Sequence, residues 1–212
     1  MFGFLVIPIQ GLKALLAEIR SGHPGIVFEN LALSWAPRWH YAVVLGYDLD
    51  KEEVIMHSGH DSFAHVDLRE FESSWKLGDY WGLVVLPPNE LAVSANEEMH
   101  VSAVAALEQI RKLEESKRAY QQILTRWPKS LGAMIGLANV AFTQNELRTS
   151  IDLLKAAIVA HPKSAAAWHN LAIAQGTVGW GASAHESAMK ALELASANAR
   201  PQYRKNLRKL LR

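Results

Sequence analysis

The second half of this chain repeats itself with a period of 34 residues, and that period constrains the fold more than any other feature. Pro128 and Pro162 lie 34 positions apart, and Leu137-Ala138 recurs as Leu171-Ala172 at the same spacing. Within each copy the apolar residues follow helical spacing, which together with this period predicts stacked helix–turn–helix units. About three such units are needed to bury a continuous core.

The units resemble tetratricopeptide repeats. Trp168-x-Asn170-Leu171-Ala172 is similar to the signature of the first helix of that repeat, and Met134 stands at the tryptophan position one repeat earlier. His100 replaces the large aromatic residue in the first and most degenerate unit. We therefore expect an all-α repeat domain over 97–199, with units at about 97–130, 131–164 and 165–196.

The resemblance implies a protein or peptide partner, which such repeats bind in the concave groove formed by their first helices. Five side chains on the first helices of the second and third units are expected to face that groove: Ile135, Asn139, Phe142, His169 and Ile173. The pattern points to a binding surface and selects no particular ligand.

The tail, residues 200–212, has Pro201 in a position suited to a helical first turn, an apolar stripe and six basic side chains. We interpret it as the basic capping helix that a repeat array needs at its end. Contact with an anionic membrane surface, with RNA or with the acidic first half of the chain are the alternatives.

Charge divides the chain into two regions. Residues 1–96 hold 6 basic and 12 acidic side chains, whereas residues 97–212 hold 16 and 9. The net charge of the whole chain is only +1, so no nucleic-acid partner is expected. No apolar run reaches the roughly 18 residues of a transmembrane helix, and the apolar start lacks the basic flank and cleavage site of a signal peptide. As written, the chain is expected to stay in the cytoplasm; a preceding segment would allow an envelope or exported location.

The first half alternates β-rich runs with two helical segments, which predicts a small antiparallel sheet carrying one or two helices. Strands are expected at 2–9, 25–28, 40–48, 53–57 and 80–86, and helices at 11–20 and 71–77. Pro87-Pro88 closes this region, which we place at residues 1–90. The fold class of the whole chain is therefore predicted to be α+β.

Three strings in the first half resemble the C-terminal half of bacteriocin-processing, double-glycine-type cysteine peptidases, which are papain-like enzymes. They are His40–Asp48 (HYAVVLGYD), the preceding Gly22–Val27 and the closing run from Phe71 to Pro88. A peptidase-like region followed by tetratricopeptide repeats resembles one bacterial branch of that family. The resemblance implies a papain-like sheet that lacks the N-terminal, cysteine-bearing helix.

In that family a cysteine is the nucleophile, a histidine opening a strand is the base, and an acidic or amide residue near the end of the next strand orients it. By resemblance His40 occupies the base position; a strand-edge histidine without a catalytic role is the alternative. The chain has no cysteine, and His57-Ser58-Gly59 stands where the family has its third group, with Asp61 near but out of register. One of three catalytic positions is retained.

The segment from 57 to 67 is dense in histidine and aspartate, which can bind divalent metals. It lacks the helical spacing and the glutamate of a metalloprotease site, so we interpret it as a polar surface loop: His57, His60, Asp61, His65 and Asp67. Four tryptophans are expected to fill the small core, with one or two of them exposed, rather than to line a peptide groove: Trp35, Trp39, Trp75 and Trp81.

We accordingly expect a non-catalytic, peptidase-like protein whose repeats mediate protein–protein interaction. The alternative is the C-terminal part of an active cysteine peptidase whose nucleophile lies on a segment preceding Met1. A sheet without those N-terminal helices is expected to expose apolar surface. No cofactor and no metal are expected, since the chain has no Gly-rich phosphate loop, and the oligomeric state is left open.

Overall fold

The structure, a computed structural model, describes residues 3–211, so Met1, Phe2 and Arg212 lie outside the description. The predicted start of the first strand at Phe2 and the last basic residue of the tail fall on these positions. The chain separates into two compact units, Met1–Ala103 and Val104–Arg212. The α+β fold class is confirmed, because a six-stranded antiparallel sheet precedes a series of paired helices.

The first unit contains the sheet and two helices that follow its strands. Its elements are β1 (Leu5–Gln10), α1 (Leu12–Arg20), β2 (Gly25–Asn30), β3 (Trp39–Asp48), β4 (Glu53–Ser58), β5 (Asp61–Asp67), α2 (Leu68–Lys76) and β6 (Trp81–Leu86). The strands lie in the order β1-β6-β2-β3-β4-β5, and each neighbouring pair is antiparallel.

The segment expected to be a polar loop is the strand β5, which forms one edge of the sheet. Half-buried Ala64 and Val66 alternate there with exposed polar side chains and pair with Met56 and Val54 of β4. An edge strand can fold with few apolar side chains, because one of its edges is unpaired and one of its faces is exposed to solvent. The prediction of a loop was therefore wrong.

The sheet has one buried face and one exposed face. The helices α1 and α2 cover the buried face, where Leu15, Phe71 and Trp75 are almost inaccessible to solvent. Large apolar side chains are exposed on the other face: Phe4, Val6, Trp39, Tyr41, Trp81 and Val85. The first unit thus has the exposed apolar surface that the sequence predicts.

Three of the four tryptophans predicted to fill the core are exposed. Trp75 alone of the four is buried, whereas the exposed fractions of Trp35, Trp39 and Trp81 are 80%, 51% and 43%. Strand alternation explains the latter two, because their neighbours along the strand occupy the buried face. Trp35 lies in the connection between β2 and β3.

The second unit consists of antiparallel helix pairs followed by a short terminal helix. Its helices are α4 (Leu113–Arg126), α5 (Leu131–Thr143), α6 (Leu147–Ala160), α7 (Ala165–Thr177), α8 (Gly181–Leu194) and α9 (Arg200–Asn206), and the division between the units falls within α3 (Glu97–Gln109). No helix within residues 3–211 is long and apolar enough to cross a membrane.

Backbone geometry recurs with the sequence period. Arg111, Asn145 and Gly179, each 34 residues from the next, have φ angles of 61°, 62° and 81° in the turns between paired helices. At the start of the next pair Ser130 and Ser164 cap α5 and α7, because their side chains accept hydrogen bonds from Ala133 N and Ala167 N. The repeat is therefore a repeat of structure as well as of sequence.

Candidate functional site

The first helices of the second and third repeats, α5 and α7, carry the residues predicted to face a groove. Ile135 and Asn139 are half-buried on α5, so part of each side chain reaches solvent. The side chains of the two helices are linked, because Asn170 Nδ2 donates a hydrogen bond to Asn139 Oδ1 over 2.9 Å. Asn139 Nδ2 donates to none of the residues that the structure describes, so it can donate to a carbonyl of a bound chain.

His169 lies differently from the prediction. Its exposed fraction is 8%, its ring stacks on Tyr203 of α9 at 4.3 Å, and its Nδ1 and Nε2 lie 2.9 and 3.3 Å from amide atoms of Asn170 and Asn206. The terminal helix therefore covers this histidine and withdraws it from the groove. The sequence signal for this cover was the apolar stripe of the tail, which contains Tyr203.

Phe142 and Ile173 serve the core as well as the surface. Phe142 packs against the cluster of Ile151, Leu154 and Leu171 between the second and third repeats. Ile173 packs against the cluster that contains Leu207, next to α9. Both are half-buried, so part of each side chain remains accessible to solvent, whereas no core cluster includes Ile135 or Asn139 among the described residues.

His40 opens β3 on the buried face of the sheet and meets a hydroxyl of the neighbouring strand. Its Nε2 lies 2.9 Å from Ser58 Oγ at the end of β4. Ser58 is thus in hydrogen-bond contact with the histidine, whereas Asp61 is the partner of Ser58 across the β4–β5 turn. In the sequence Ser58 was recognised only as a departure from the peptidase pattern, and its contact with the imidazole of His40 was not predicted.

A buried carboxyl group lies beside this pair. Glu29 of β2 is the register partner of His40, has an exposed fraction of 3% and accepts a hydrogen bond of 2.6 Å from Ser74 Oγ. Burial raises the pKa of Glu29 above its ordinary value of 4.5, while the hydrogen bond from Ser74 and the charge of His40 lower it. The group therefore contains an imidazole, two hydroxyls and a carboxyl, and the chain has no cysteine that could add a thiol.

The histidines and aspartates of the β4–β5 hairpin do not converge on one point. His57 Nδ1 accepts a hydrogen bond from Phe63 N, and His65 Nδ1 lies 2.9 Å from Glu53 Oε2. Within residues 3–211 no group of three or more histidine or acidic side chains has a geometry that could hold a metal ion. Each of these two histidines has its own neighbour on the hairpin.

Comparisons with known proteins identify the second unit. The family model described as tetratricopeptide repeat matches residues 103–165. No curated protein matches the chain significantly.

Solved structures agree with the repeat assignment. The complex of the TPR2B domain of yeast Sti1 with pHsp70 is 19% identical, with a TM-score of 0.50, and the match covers 54% of this chain and 95% of that one. The type III secretion translocator chaperone SycD of Yersinia enterocolitica is 16% identical, with a TM-score of 0.50, and the match covers 54% of this chain and 87% of that one. At these identities the likeness concerns the fold. Residues 103–165 thus match tetratricopeptide repeats, and the helix pairs of the C-terminal half have the fold of such repeats.

Proposed function

We propose that the chain is an interaction protein whose repeats bind a peptide or an extended segment of a partner protein. The observation that carries the proposal is the pair of Asn139 and Asn170, which bridges α5 and α7 and leaves an amide donor of Asn139 for a ligand. Half-buried Ile135, one helical turn before Asn139, adds an apolar contact on the same helix face.

Two further features support peptide binding. The repeats stack α5 and α7 side by side, so a ligand can contact both helices at once. The fold is also that of the yeast Sti1 domain, which is seen in complex with pHsp70. A groove of this kind binds by a few anchoring contacts within a larger complementary surface.

The experiment is a selection of random peptides on the full chain, followed by anisotropy titration of one labelled, selected peptide. Replacing Ile135→Ala or Asn139→Ala is expected to weaken binding about fivefold to tenfold, which corresponds to roughly 1–1.4 kcal/mol. Val159→Ala is the matched control, because Val159 is 84% exposed on α6, the second helix of its repeat. Selected peptides that bind both groove variants as tightly as the control variant contradict the proposal.

We further propose that the first unit is a non-catalytic, papain-like peptidase scaffold that keeps the base position at His40. The contact of His40 with Ser58, near the end of the next strand, supports this, since the family places its orienting group there. The hydroxyl of Ser58 can fix the ring tautomer, as the acid or amide does in such enzymes. Without a thiol in the chain, the pair has no cysteine to activate.

This second proposal is tested with a fluorogenic peptide ending in Gly-Gly. The wild-type chain and the His40→Ala variant are expected to show the same background hydrolysis. Hydrolysis by the wild type that is lost in the variant contradicts the non-catalytic assignment. The alternative, a part of an active peptidase, predicts that DNA upstream of Met1 encodes a cysteine followed by a helix, and sequencing that DNA decides it.

A further inference from the structure

Four aromatic rings form a cluster on the exposed face of the sheet, opposite the face that carries His40. Phe28 of β2 is the register partner of Tyr41 on β3, and their ring centroids lie 4.7 Å apart. Trp39 stacks on Phe28 at 4.9 Å, and Trp81 of β6 meets Tyr41 at 6.0 Å with the ring planes 74° apart. The stacked rings of Phe28 and Trp39, the tilted ring of Tyr41 and the perpendicular ring of Trp81 therefore form adjoining walls of different orientation.

A cavity of about 450 Å³ lies between these rings and the loop that joins α2 to β6. Asp79 of that loop is the acidic residue among those that line the cavity. Trp39, Tyr41 and Trp81 remain 51%, 60% and 43% exposed, so the faces are accessible to a ligand. The volume falls in the range of small-molecule sites, roughly 300–1,000 Å³.

The loop is fixed in place by the core beneath it. The buried indole of Trp75 donates a 2.7 Å hydrogen bond to Trp81 O, and Tyr80 N donates to Trp75 O over 3.1 Å. A Cβ on Gly78 would come within 2.2 Å of Phe28 O, so the loop lies directly on the backbone of β2. Asp79 and Tyr80 hold φ angles of 57° and 54°, an uncommon conformation that surrounding structure must impose and that is frequent at ligand sites.

We propose that this aromatic pocket, formed by Phe28, Trp39, Tyr41, Trp81 and Asp79, binds a small ligand through a quaternary ammonium head group. The π faces attract a cation, and the Asp79 carboxylate complements its charge. A quaternary ammonium has no N–H donor, which suits a pocket whose side chains offer a single carboxylate. A primary ammonium would leave donors unpaired against the rings.

The protein's own cations leave these rings accessible. Over the described part of the chain, the cation–π contacts pair Arg126 with Trp127 and Lys155 with Trp180, and neither involves the pocket. The net charge of −6 over residues 1–96, from 6 basic and 12 acidic side chains, also favours a cationic ligand at this face.

The test is a two-dimensional NMR titration of the full chain with choline chloride and with its neutral isostere 3,3-dimethylbutan-1-ol. Choline is expected to give saturable shifts centred on Phe28, Tyr41 and Trp81, with the alcohol binding at least about fivefold more weakly. Equal affinity for the two probes overturns the proposal, since the pocket would then be merely apolar. Saturation by a neutral glycoside without a response to choline overturns it too, as does preferential binding of a trimethyllysine peptide, which would place the cation on a protein chain.

Variants separate the rings from the carboxylate. Asp79→Asn keeps the size of the side chain and tolerates the positive φ, so it is expected to fold and to weaken choline binding about fivefold without changing binding of the alcohol. Trp81→Leu is expected to weaken choline binding at least as much. Trp35→Leu, an 80% exposed tryptophan outside the pocket, is the matched control. Unchanged choline affinity in Asp79→Asn overturns the proposal even if Trp81→Leu fails to fold.

Discussion

The two units of the chain are built by opposite kinds of contact. In the repeats each helix packs mainly on its sequence neighbours, and equivalent residues recur 34 positions later with the same cap and turn geometry. In the sheet, β1 pairs with β6 from the far end of the unit, and β2 also pairs with β6. Local contacts that recur in every repeat produce a period that can be recognised in the sequence. Pairing between distant strands produces no such period, so it cannot be predicted in the same way.

Close backbone approaches show the same difference. In the repeats Gly136 of α5 receives the ring of Tyr120, whose nearest atom lies 2.2 Å from where a Cβ would stand. In the sheet unit Gly78 lies against the carbonyl of Phe28, a backbone atom. A methyl group at position 136 would displace the ring of Tyr120 on α4, whereas one at position 78 would displace a carbonyl of strand β2. We therefore expect a substitution at Gly136 to disturb the contact between α4 and α5, and one at Gly78 to disturb several strands of the sheet.

The largest effect is expected from Trp75→Ala, which removes the largest buried side chain of the sheet unit together with its hydrogen bond to Trp81 O. We expect a loss of about 3–5 kcal/mol from the free energy of unfolding of that unit. Urea unfolding followed by circular dichroism measures it, with Trp35→Ala as the exposed control at within about 0.5 kcal/mol. An equal drop in the midpoint of the helical repeat transition would show that the units do not unfold independently.

The next effect is the repeat counterpart, Leu154→Ala. Leu154 is 1% exposed in the cluster between the second and third repeats. We expect a loss of about 2–5 kcal/mol, with faster amide hydrogen exchange in α5 to α8 and unchanged exchange in the sheet. Faster amide exchange in β2 and β6 would contradict the expectation that a substitution in the repeats has only local effects.

A smaller effect is expected from the helix caps. Ser130→Ala and Ser164→Ala remove equivalent caps 34 residues apart, and Asp67→Ala removes the cap of α2, whose carboxylate accepts from Arg69 N and Glu70 N. Each is expected to lower the unfolding free energy by about 1 kcal/mol. Thermal unfolding of the three variants measures this. If the losses of unfolding free energy in the two serine variants differ by more than about 1 kcal/mol, the two repeats are not energetically equivalent.

The smallest effect concerns pH, through buried Glu29 in the sheet unit and half-buried Glu108 in the repeat unit. Burial raises the pKa of Glu29 and of Glu108, whose Oε2 accepts from the Tyr120 hydroxyl over 3.0 Å. A raised carboxyl pKa favours the folded state below the ordinary value of 4.5 and loses that contribution as pH rises through the folded value. In the wild type this contribution makes the urea midpoint fall as pH rises towards neutrality. In Glu29→Gln and Glu108→Gln the residue no longer titrates, so the midpoint is expected to fall less over the same pH range. A steeper fall in either variant would contradict the sign.

Much of the fold could be predicted from particular residues. The period between Pro128 and Pro162 predicted the helix pairs, and the run from His40 to Asp48 predicted a strand that the structure places at Trp39–Asp48. The edge strand β5 was not predicted, because Ala64 and Val66 are its only half-buried apolar residues and polar side chains surround them in the sequence. Composition favoured buried tryptophans, yet only the pleat decides which face Trp39 and Trp81 take.

The site was predicted less completely, for a physical reason. Ile135 and Asn139 stand four residues apart on α5, so helical spacing alone could place them on one face of that helix. The burial of His169 depends on α9 packing over α7; the apolar stripe of the tail indicated a packing surface but not which helix it would cover. The contact of His40 with Ser58 depends on the register of β3 against β4. A bulge between Val44 and Gly46 shifts that register, and the sequence alone did not predict the bulge.

The claim that the repeats form the interaction surface is tested most directly by mapping where a selected peptide binds on the full chain. We predict that NMR shifts caused by the bound peptide concentrate in α5 and α7, around Ile135 and Asn139, and that Asn139→Ala reduces them at equal peptide concentration. Shifts confined to the sheet unit, with α5 and α7 unmoved, would contradict the account and transfer the interaction to the first half of the chain.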